Sequence, residues 1–212
     1  MFRLVIADKN FSSWSLRPWL VLKMLAEPFE EIPLRLYQPD THAHILKFSP
    51  SGKVPALLDH QLCIWDSLAI CEYLAECFPA AGLWPREAAD RATARAIAAE
   101  MHSGFSALRQ NLPLNVVAQY SGLSFDEATQ ADIKRISEIW QSLRHDHQDG
   151  GPFLFGGFTI ADAMYAPVAL RFASYGVSLP PLAQAYADHI RALPAMQQWI
   201  AEARAEQDGK DS

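Results

Sequence analysis

The strand-like stretches of this chain all lie before Pro79, and this asymmetry constrains the fold more than any other feature. The stretches are short and apolar, as buried strands are. They cover residues 2–7, 29–36, 56–58 and 62–65. Asp59, His60 and Gln61 separate the last two stretches, which is typical of a hairpin. We therefore expect a small sheet that is confined to the first part of the chain.

Helical patterns separate the strand-like stretches. Apolar residues recur at helical spacing over residues 16–25 and again over 68–78, and the polar stretch 40–48 is also expected to be helical. The element order is then βαβ, α, ββα, which predicts an α/β domain. Proline cannot donate to a sheet ladder, so Pro33 predicts that the second strand lies at an edge or is irregular there.

The second part of the chain is predicted to be all-helical. Residues 79–85 are rich in proline and glycine, and no convincing strand-like run follows them. The stretch 86–111 is rich in Ala, Arg and Glu and is expected to be helical. We predict an α/β domain at residues 1–79, a linker at 80–87 and an all-α domain at 88–212.

Several helix boundaries in the second part can be predicted from local signals. Ser124 to Glu127 and Thr159 to Asp162 both have the pattern of a capping box, in which two side chains satisfy the first backbone donors of a helix. Pro180, Pro181 and Pro194 mark the two last helices.

Composition and charge exclude several classes of function. The net charge is −6 and the 18 Lys and Arg residues form no run, so a nucleic-acid groove is not expected. No apolar stretch approaches the roughly 20 residues that cross a bilayer, and the first apolar run meets Asp8 and Lys9 too soon for a signal peptide. We therefore expect a cytoplasmic protein.

The three cysteines are predicted to be reduced and structural. Cys63, Cys71 and Cys77 are odd in number, lack Cys-x-x-Cys spacing and have no histidine cluster beside them. A metal site is therefore not expected.

Residues 12–19 have the sequence SSWSLRPW and carry three hydroxyls just before a predicted helix. Pro18 must lie near the helix start, because proline lacks an N–H and is tolerated in the first turn, and this favours Ser15 as the N-cap. Ser12 and Ser13 then lie in the loop ahead of the helix. Unpaired N–H groups and the helix dipole favour an anion at that position.

Two further short motifs suit binding of an extended, charged ligand. In Gly52-Lys53-Val54-Pro55, a cis proline bond could leave the backbone of Val54 free to pair with a peptide. Asp66 and Ser67 lie at the start of a predicted helix, where a carboxylate can hold an ammonium group while the hydroxyl and helix N–H groups hold a carboxylate. Asp66 could equally be a simple N-cap.

Together and in this order, these motifs resemble the glutathione transferase family over nearly the whole chain. SSWSLRPW resembles the serine loop of the serine classes, especially the zeta class, GKVP its cis-proline turn and DS its Glu/Gln-Ser pair. The Thr159 box resembles the capping box of the family's buried helix. The resemblance implies a thioredoxin-like domain followed by a helical domain, with glutathione as cosubstrate.

The resemblance also implies roles for individual residues. Val54, which directly precedes Pro55 in the turn, pairs with the glutathione backbone. Asp66 and Ser67 hold the γ-glutamyl end of glutathione, and Lys53 contacts a carboxylate. Ser12 or Ser13 activates the thiol: alignment with the zeta motif favours Ser12, whereas theta-like spacing from the following arginine favours Ser13, and of the two we prefer Ser12. The electrophile site is expected between the domains, with five candidate residues: Phe11, Trp14, Met101, Phe105 and Leu108.

Three functions remain open on the sequence alone. The first is a glutathione transferase acting on a small hydrophobic electrophile. The second is a cis-trans isomerase of the maleylacetoacetate isomerase type, from which the chain departs by having Trp14 in place of a cysteine and Ser49 in place of an asparagine. The third is a non-catalytic binding module. A homodimer is expected by resemblance to the family.

Overall fold

The computed structural model describes residues 1–208. Within them, all four strands and the first three helices lie before Phe78. Their order is β1 (Phe2–Ala7), α1 (Ser13–Met24), β2 (Phe29–Leu34), α2 (Thr41–Leu46), β3 (Ala56–Asp59), β4 (Leu62–Trp65) and α3 (Ser67–Cys77). The predicted βαβ, α, ββα order is confirmed.

The four strands form one mixed sheet with the spatial order β2-β1-β3-β4. β1 pairs in parallel with β2 and antiparallel with β3, and β3 pairs antiparallel with β4. The edge position of β2 allows Pro33, which lies opposite Ile6, because an edge strand can leave one N–H position unused. This is the arrangement of a thioredoxin-like domain.

The remainder of the described chain is helical, apart from short 3-10 turns at Pro79–Ala81 and Gln148–Gly150 and two isolated bridges near Phe155. The helices are α4 (Ala88–Ser103), α5 (Ser106–Asn111), α6 (Glu127–Asp146), α7 (Ile160–Ser174), α8 (Pro181–Ala192) and α9 (Pro194–Asp208). The expected all-α second part is confirmed. The boundaries 1–79, 80–87 and 88–212 stay a prediction, and residues 209–212 lie outside the described chain.

The helical stretch expected over residues 86–111 is interrupted. α4 ends at Ser103, and α5 begins only at Ser106. Phe105 between them has a left-handed backbone with φ of +57°, and a Cβ on Gly104 would lie 2.8 Å from the Glu100 carbonyl oxygen. The absence of a side chain at Gly104 therefore lets the chain turn here.

One of the two predicted capping boxes is wrong. The N-cap of α6 is Asp126, whose carboxylate accepts a hydrogen bond from the Thr129 backbone N–H at 2.8 Å. Ser124 and Phe125 therefore precede the helix. Aspartate and serine are about equally good N-caps, so the local sequence contained two competing start signals.

The second predicted capping box is confirmed and opens the most deeply buried helix. Thr159 caps α7. The carboxylate of Asp162, in the third helical position, accepts a hydrogen bond from the Thr159 backbone N–H at 2.8 Å. Trp140 of α6 packs against Tyr165 and Phe172 of α7 and against Tyr186 of α8. This aromatic cluster forms the centre of the helical core.

A partly buried ion-pair network joins the sheet region to the last helix. The Lys9 ammonium contacts the carboxylates of Glu31, at 2.5 Å, and Glu202 of α9, while the Trp199 indole donates to the Lys9 carbonyl at 2.9 Å. Burial alone would lower the pKa of Lys9, but its bonds to Glu202 and Glu31 give a net increase. α9 is thereby tied to the segment between β1 and α1.

No helix among residues 1–208 combines the length and apolar character needed to cross a bilayer.

Candidate active site

Hydrogen bonds distinguish the three serines before and within α1. Ser12 is the N-cap: its Oγ accepts from the Ser15 backbone N–H at 3.4 Å and donates to Ser15 Oγ at 2.7 Å. Ser15 Oγ accepts from the Ala7 backbone N–H at 3.2 Å and so ties the helix to β1. The expectation that Ser15 is the N-cap is wrong.

Because α1 begins earlier than expected, Pro18 lies in its second turn. The missing N–H of Pro18 leaves the Trp14 carbonyl without its intrahelical donor.

Ser13 is engaged in a different way. Its Oγ accepts a hydrogen bond from Arg171 Nη2 at 3.2 Å, and its own proton has no acceptor within residues 1–208. The side chain is buried, and it lines a cavity beside Ser12. Ser13 is thus the serine of this loop whose proton is available to a ligand.

A first cavity of about 470 Å³ brings together all five of the residues expected to bind glutathione. These are Lys53, Val54, Pro55, Asp66 and Ser67. The other lining residues are Trp14, Ser51, Trp65 and His102. The cavity therefore lies between the cis-proline turn and the N-terminus of α3.

The Val54–Pro55 peptide bond is cis. This is the conformation that was expected to let Val54 present its backbone to a ligand. The backbone N–H and C=O of Val54 make no hydrogen bond to other residues of the described chain. Val54 lies just before β3 and therefore offers an unused extended backbone at the cavity wall.

Asp66 caps α3 and also contacts a histidine of the helical part. Its Oδ1 caps α3 by accepting from the backbone N–H groups of Leu68 and Ala69 at 2.9 and 3.2 Å, and its Oδ2 lies 3.1 Å from Nε2 of His102. The backbone of Asp66 has φ of +78°, in the left-handed region that non-glycine residues rarely adopt. Such conformations cluster at ligand sites.

Ser67 is buried in the wall of this cavity, and its Oγ has no hydrogen-bond partner within the described residues. Buried hydroxyls are normally paired, because leaving one unpaired costs about 1–3 kcal/mol. An unpaired hydroxyl at the N-terminus of a helix is suited to donating a hydrogen bond to a carboxylate ligand.

A second cavity of about 550 Å³ adjoins the first and shares Trp14, Lys53 and Val54 with it. Both serines of the loop, Ser12 and Ser13, open onto this second cavity. Its remaining lining residues are Phe11, Leu36, Tyr37, Ile45, Gly52, Arg109, Pro113, Leu114, Asn115, Tyr120 and Arg171. The lining is largely apolar, carries three cations and contains no carboxylate among the described residues.

Trp14 lines both cavities and contacts two cations. The guanidinium carbon of Arg17 lies 4.2 Å and that of Arg109 4.6 Å from its ring centroid, and the His102 ring meets it edge-on. Arg17 is buried, and its Nε and Nη1 have no partner within residues 1–208. Burial and the neighbouring Arg109 lower the pKa of Arg17 to about 9.

The arginines make the region around Ser13 strongly positive. Burial and the charge of Arg109 lower the pKa of Arg171 to about 10, so its guanidinium remains charged at neutral pH. Burial also lowers the pKa of Arg109, which donates to the backbone carbonyls of Met101 and Gly104. A negative charge in the second cavity would therefore be stabilised by neighbouring cations.

The five candidates for the electrophile site divide into two groups. Phe11 and Trp14 line the second cavity. Met101, Phe105 and Leu108 are buried in the hydrophobic core and line neither cavity. The helical-domain side of the cavity is formed instead by Arg109, residues 113–115, Tyr120 and Arg171.

The cysteines lie away from the serine loop. Cys63 donates its thiol proton to the Phe48 carbonyl oxygen, and burial raises the pKa values of Cys63 and Cys71. All three thiols are free, and Cys77 is exposed. No group of His, Cys, Asp or Glu side chains among the described residues could hold a metal ion.

Several residues of the site had no local sequence signal. His102, Arg109, Tyr120 and Arg171 come from the helical part of the chain and meet the serine loop only through tertiary packing. A spacing pattern reports neighbours on one element, so it could not have paired Ser13 with a residue 158 positions away.

Here a thioredoxin-like domain and a helical domain enclose a polar cavity beside a serine at a helix N-terminus. This combination defines the class of glutathione-dependent transferases. The family model for the glutathione S-transferase N-terminal domain matches residues 11–77, and the model for the C-terminal domain matches residues 90–202. The chain belongs to the glutathione S-transferase family.

Individual relatives agree with this assignment. A probable maleylacetoacetate isomerase of Vibrio cholerae is 27% identical over 161 residues, which are 74% of this chain and 75% of the relative. A zeta-class glutathione S-transferase of Euphorbia esula is 30% identical over 155 residues, or 73% and 66% of the two chains. A Burkholderia glutathione transferase homologue with bound glutathione superposes with a TM-score of 0.73 at 25% identity, covering 96% of this chain and 98% of that structure.

Proposed function

We propose that this protein binds glutathione in the first cavity and transfers it to a small hydrophobic electrophile held in the second. The thiol loses its proton to solvent, the sulfur forms a bond to an electrophilic carbon, and the leaving group departs with the bonding electrons. The observation that carries the proposal is that the two cavities adjoin, with Trp14, Lys53 and Val54 lining both, so that a ligand in the first lies next to the cavity onto which Ser13 opens.

The first cavity is suited to an extended tripeptide with two carboxylates. The unused backbone of Val54 pairs with the peptide, and Lys53 attracts a carboxylate. The unpaired Ser67 hydroxyl and the first N–H groups of α3 bind the γ-glutamyl carboxylate, while Asp66 faces its ammonium group.

Between the two candidate serines, we assign thiol activation to Ser13. The proton of Ser12 is already donated to Ser15, whereas that of Ser13 is available. A hydrogen bond to the charged form of a thiol lowers its pKa, and the positive end of α1 acts in the same direction. Ser12 then has the structural task of capping α1.

Replacing Ser67 with alanine is expected to weaken glutathione binding by about tenfold or more, because hydrogen bonds to charged groups contribute about 1.5–3 kcal/mol. Isothermal titration calorimetry of both proteins measures the change in Kd. Ser103→Ala is the matched control, since the Ser103 hydroxyl bonds to its own helix at Ala99 and lines neither cavity. Equal affinities of the wild type and Ser67→Ala would contradict the assigned ligand orientation.

An isomerase is the second candidate, because the Vibrio cholerae relative carries that name. The product separates the two: a transferase yields a stable thioether and consumes glutathione, whereas an isomerase returns glutathione unchanged. A non-catalytic binding module would leave both the electrophile and glutathione unaltered. Product analysis by mass spectrometry with a chromogenic chloronitrobenzene and with a maleyl substrate distinguishes these outcomes.

We further propose that the protein is a cytoplasmic homodimer. Leu62 and Trp65 lie on the edge strand β4 with 49% and 48% of their surfaces exposed, and an apolar edge of this kind favours association. Light scattering at micromolar concentration is expected to give about twice the chain mass of 23.7 kDa. A particle of the chain mass would contradict the dimer.

A further inference from the structure

The hydroxyl of Ser13 is set by a residue of the other domain. Arg171 in α7 donates from Nη2 to Ser13 Oγ at 3.2 Å. Nη1 of the same guanidinium donates to the Leu112 carbonyl oxygen beyond α5, so the group is held at two points. Both side chains are buried, Ser13 with 5% and Arg171 with 6% of its surface exposed. The contact is therefore an ordered internal bond.

This bond determines what Ser13 can do. A serine hydroxyl has one proton and two acceptor lone pairs. Because the oxygen accepts from Arg171, the proton must be directed elsewhere, and no acceptor for it occurs within residues 1–208. A charged donor on the oxygen also polarises the O–H bond and makes the hydroxyl a stronger donor to a third group.

The charges around the second cavity also favour a Ser13 hydroxyl that donates to an incoming ligand. The polar and charged groups that face it besides Ser13 and Arg171 are Lys53, Arg109, Asn115 and the hydroxyls of Ser12, Tyr37 and Tyr120. Arg171 also interacts with Tyr175, which directly follows its own helix. None of these groups is a carboxylate, so nothing in the described lining neutralises Arg171 before a ligand enters.

We propose that Arg171 is a positioning residue that turns the Ser13 hydroxyl towards the bound thiol, so that the helical domain helps to set how readily the thiol ionises. The inference rests on the proposed function, since it needs glutathione in the first cavity. It adds a residue that acts through Ser13 and that no motif near the serine loop contains.

The test is a double-mutant cycle read by the ultraviolet absorbance of the glutathione thiolate as a function of pH. Arg171→Met is expected to raise the pKa of bound glutathione by about one unit, which is a tenfold loss of thiolate below that pKa. In the Ser13→Ala background the same substitution is expected to raise the pKa clearly less, by about as much as Arg109→Met does, because only the direct effect of the charge on the thiolate then remains. Kd for glutathione, measured in parallel, should stay within about threefold.

Arg109→Met is the matched control. It removes a buried cation from the same cavity, but Arg109 bonds to backbone carbonyls and not to a serine. Its effect on the thiol pKa should be of equal size with and without Ser13, as expected for a charge acting directly. If Arg171→Met does not fold, Arg171→Lys, which keeps the charge but loses the two-point attachment, should give an intermediate thiol pKa.

Three outcomes decide the matter. A thiol pKa that Arg171→Met or Arg171→Lys leaves unchanged, while Ser13→Ala raises it, overturns the role of Arg171 alone. An equal effect of Arg171→Met in the presence and absence of Ser13 also overturns it, because the charge then acts without the hydroxyl. If Ser13→Ala has no effect either, the assignment of thiol activation to Ser13 fails together with this inference, whereas a bound thiol with an unshifted pKa in the wild type overturns the proposed function itself.

Discussion

Alanine at position 13 is expected to lower kcat/KM for conjugation at pH 6.5 by about 10- to 100-fold. A hydrogen bond to a charged group contributes about 1.5–3 kcal/mol, and one pKa unit corresponds to about 1.4 kcal/mol. Losing the Ser13 bond should therefore raise the pKa of bound glutathione by about one to two units. Stopped-flow or steady-state rates with a chromogenic chloronitrobenzene measure the effect.

The pH dependence makes this prediction specific. The rate deficit of Ser13→Ala should shrink as the pH rises through the thiol pKa of the variant, because the thiol then ionises without help. Ser13→Thr, which keeps the hydroxyl, should recover most of the rate at pH 6.5.

Ser12→Ala serves as the comparison, since Ser12 caps α1 and gives its proton to Ser15. Loss of an N-cap costs about 1 kcal/mol of stability. Ser12→Ala should therefore lower the free energy of unfolding more than Ser13→Ala does and lower kcat/KM less. The reverse order of the two rate losses would assign thiol activation to Ser12.

Alanine at position 162 is expected to lower the free energy of unfolding by about 4 kcal/mol or more. The buried carboxylate of Asp162 accepts from the backbone N–H of Leu154 and of Thr159 and from the hydroxyls of Thr159 and Tyr186, at distances between 2.8 and 3.2 Å. Removing a common acceptor leaves several buried donors unpaired, each at about 1–3 kcal/mol. Urea unfolding followed by circular dichroism measures the loss.

Burial raises the pKa of Asp162 to about 6, while the four donors act to lower it, so the group is ionised at pH 7. Asp162→Asn keeps one acceptor oxygen and should cost less than Asp162→Ala at that pH. Asp126→Ala is the control for a helix cap as such, since Asp126 caps α6 at an exposed site and should cause a much smaller loss. Equal losses at positions 126 and 162 would contradict the network account.

Local sequence signals were sufficient to predict the elements whose structure depends mainly on residues close in sequence. The strand-like runs, the hairpin and the Thr159 box are read within a few residues, and all of them are found in the structure. Local signals failed where two of them competed, as with Ser12 against Ser15 and Ser124 against Asp126. Each pair offered two good caps within three residues, and only packing of the helix decides between them.

The site divides in the same way. Lys53, Val54, Asp66 and Ser67 belong to short motifs at element ends, and the structure brings them into one cavity. The residues of the electrophile site were harder to predict from the sequence. The helical periodicity that marked Met101 and Leu108 is also typical of core residues, and both lie in the core. Arg171 contacts Ser13 across the domain boundary, and no pattern within one element reports such a contact.

The central claim is that glutathione bound in the first cavity has its thiol ionised beside Ser13. The most direct test is the pH titration of thiolate absorbance for glutathione bound to the wild-type protein, compared with free glutathione, whose thiol has the ordinary pKa of about 8.5. The account predicts a pKa clearly below that of the free thiol, restored towards it by Ser13→Ala. Binding with an unshifted pKa, or no binding, would contradict the account and leave the serines with a structural role only.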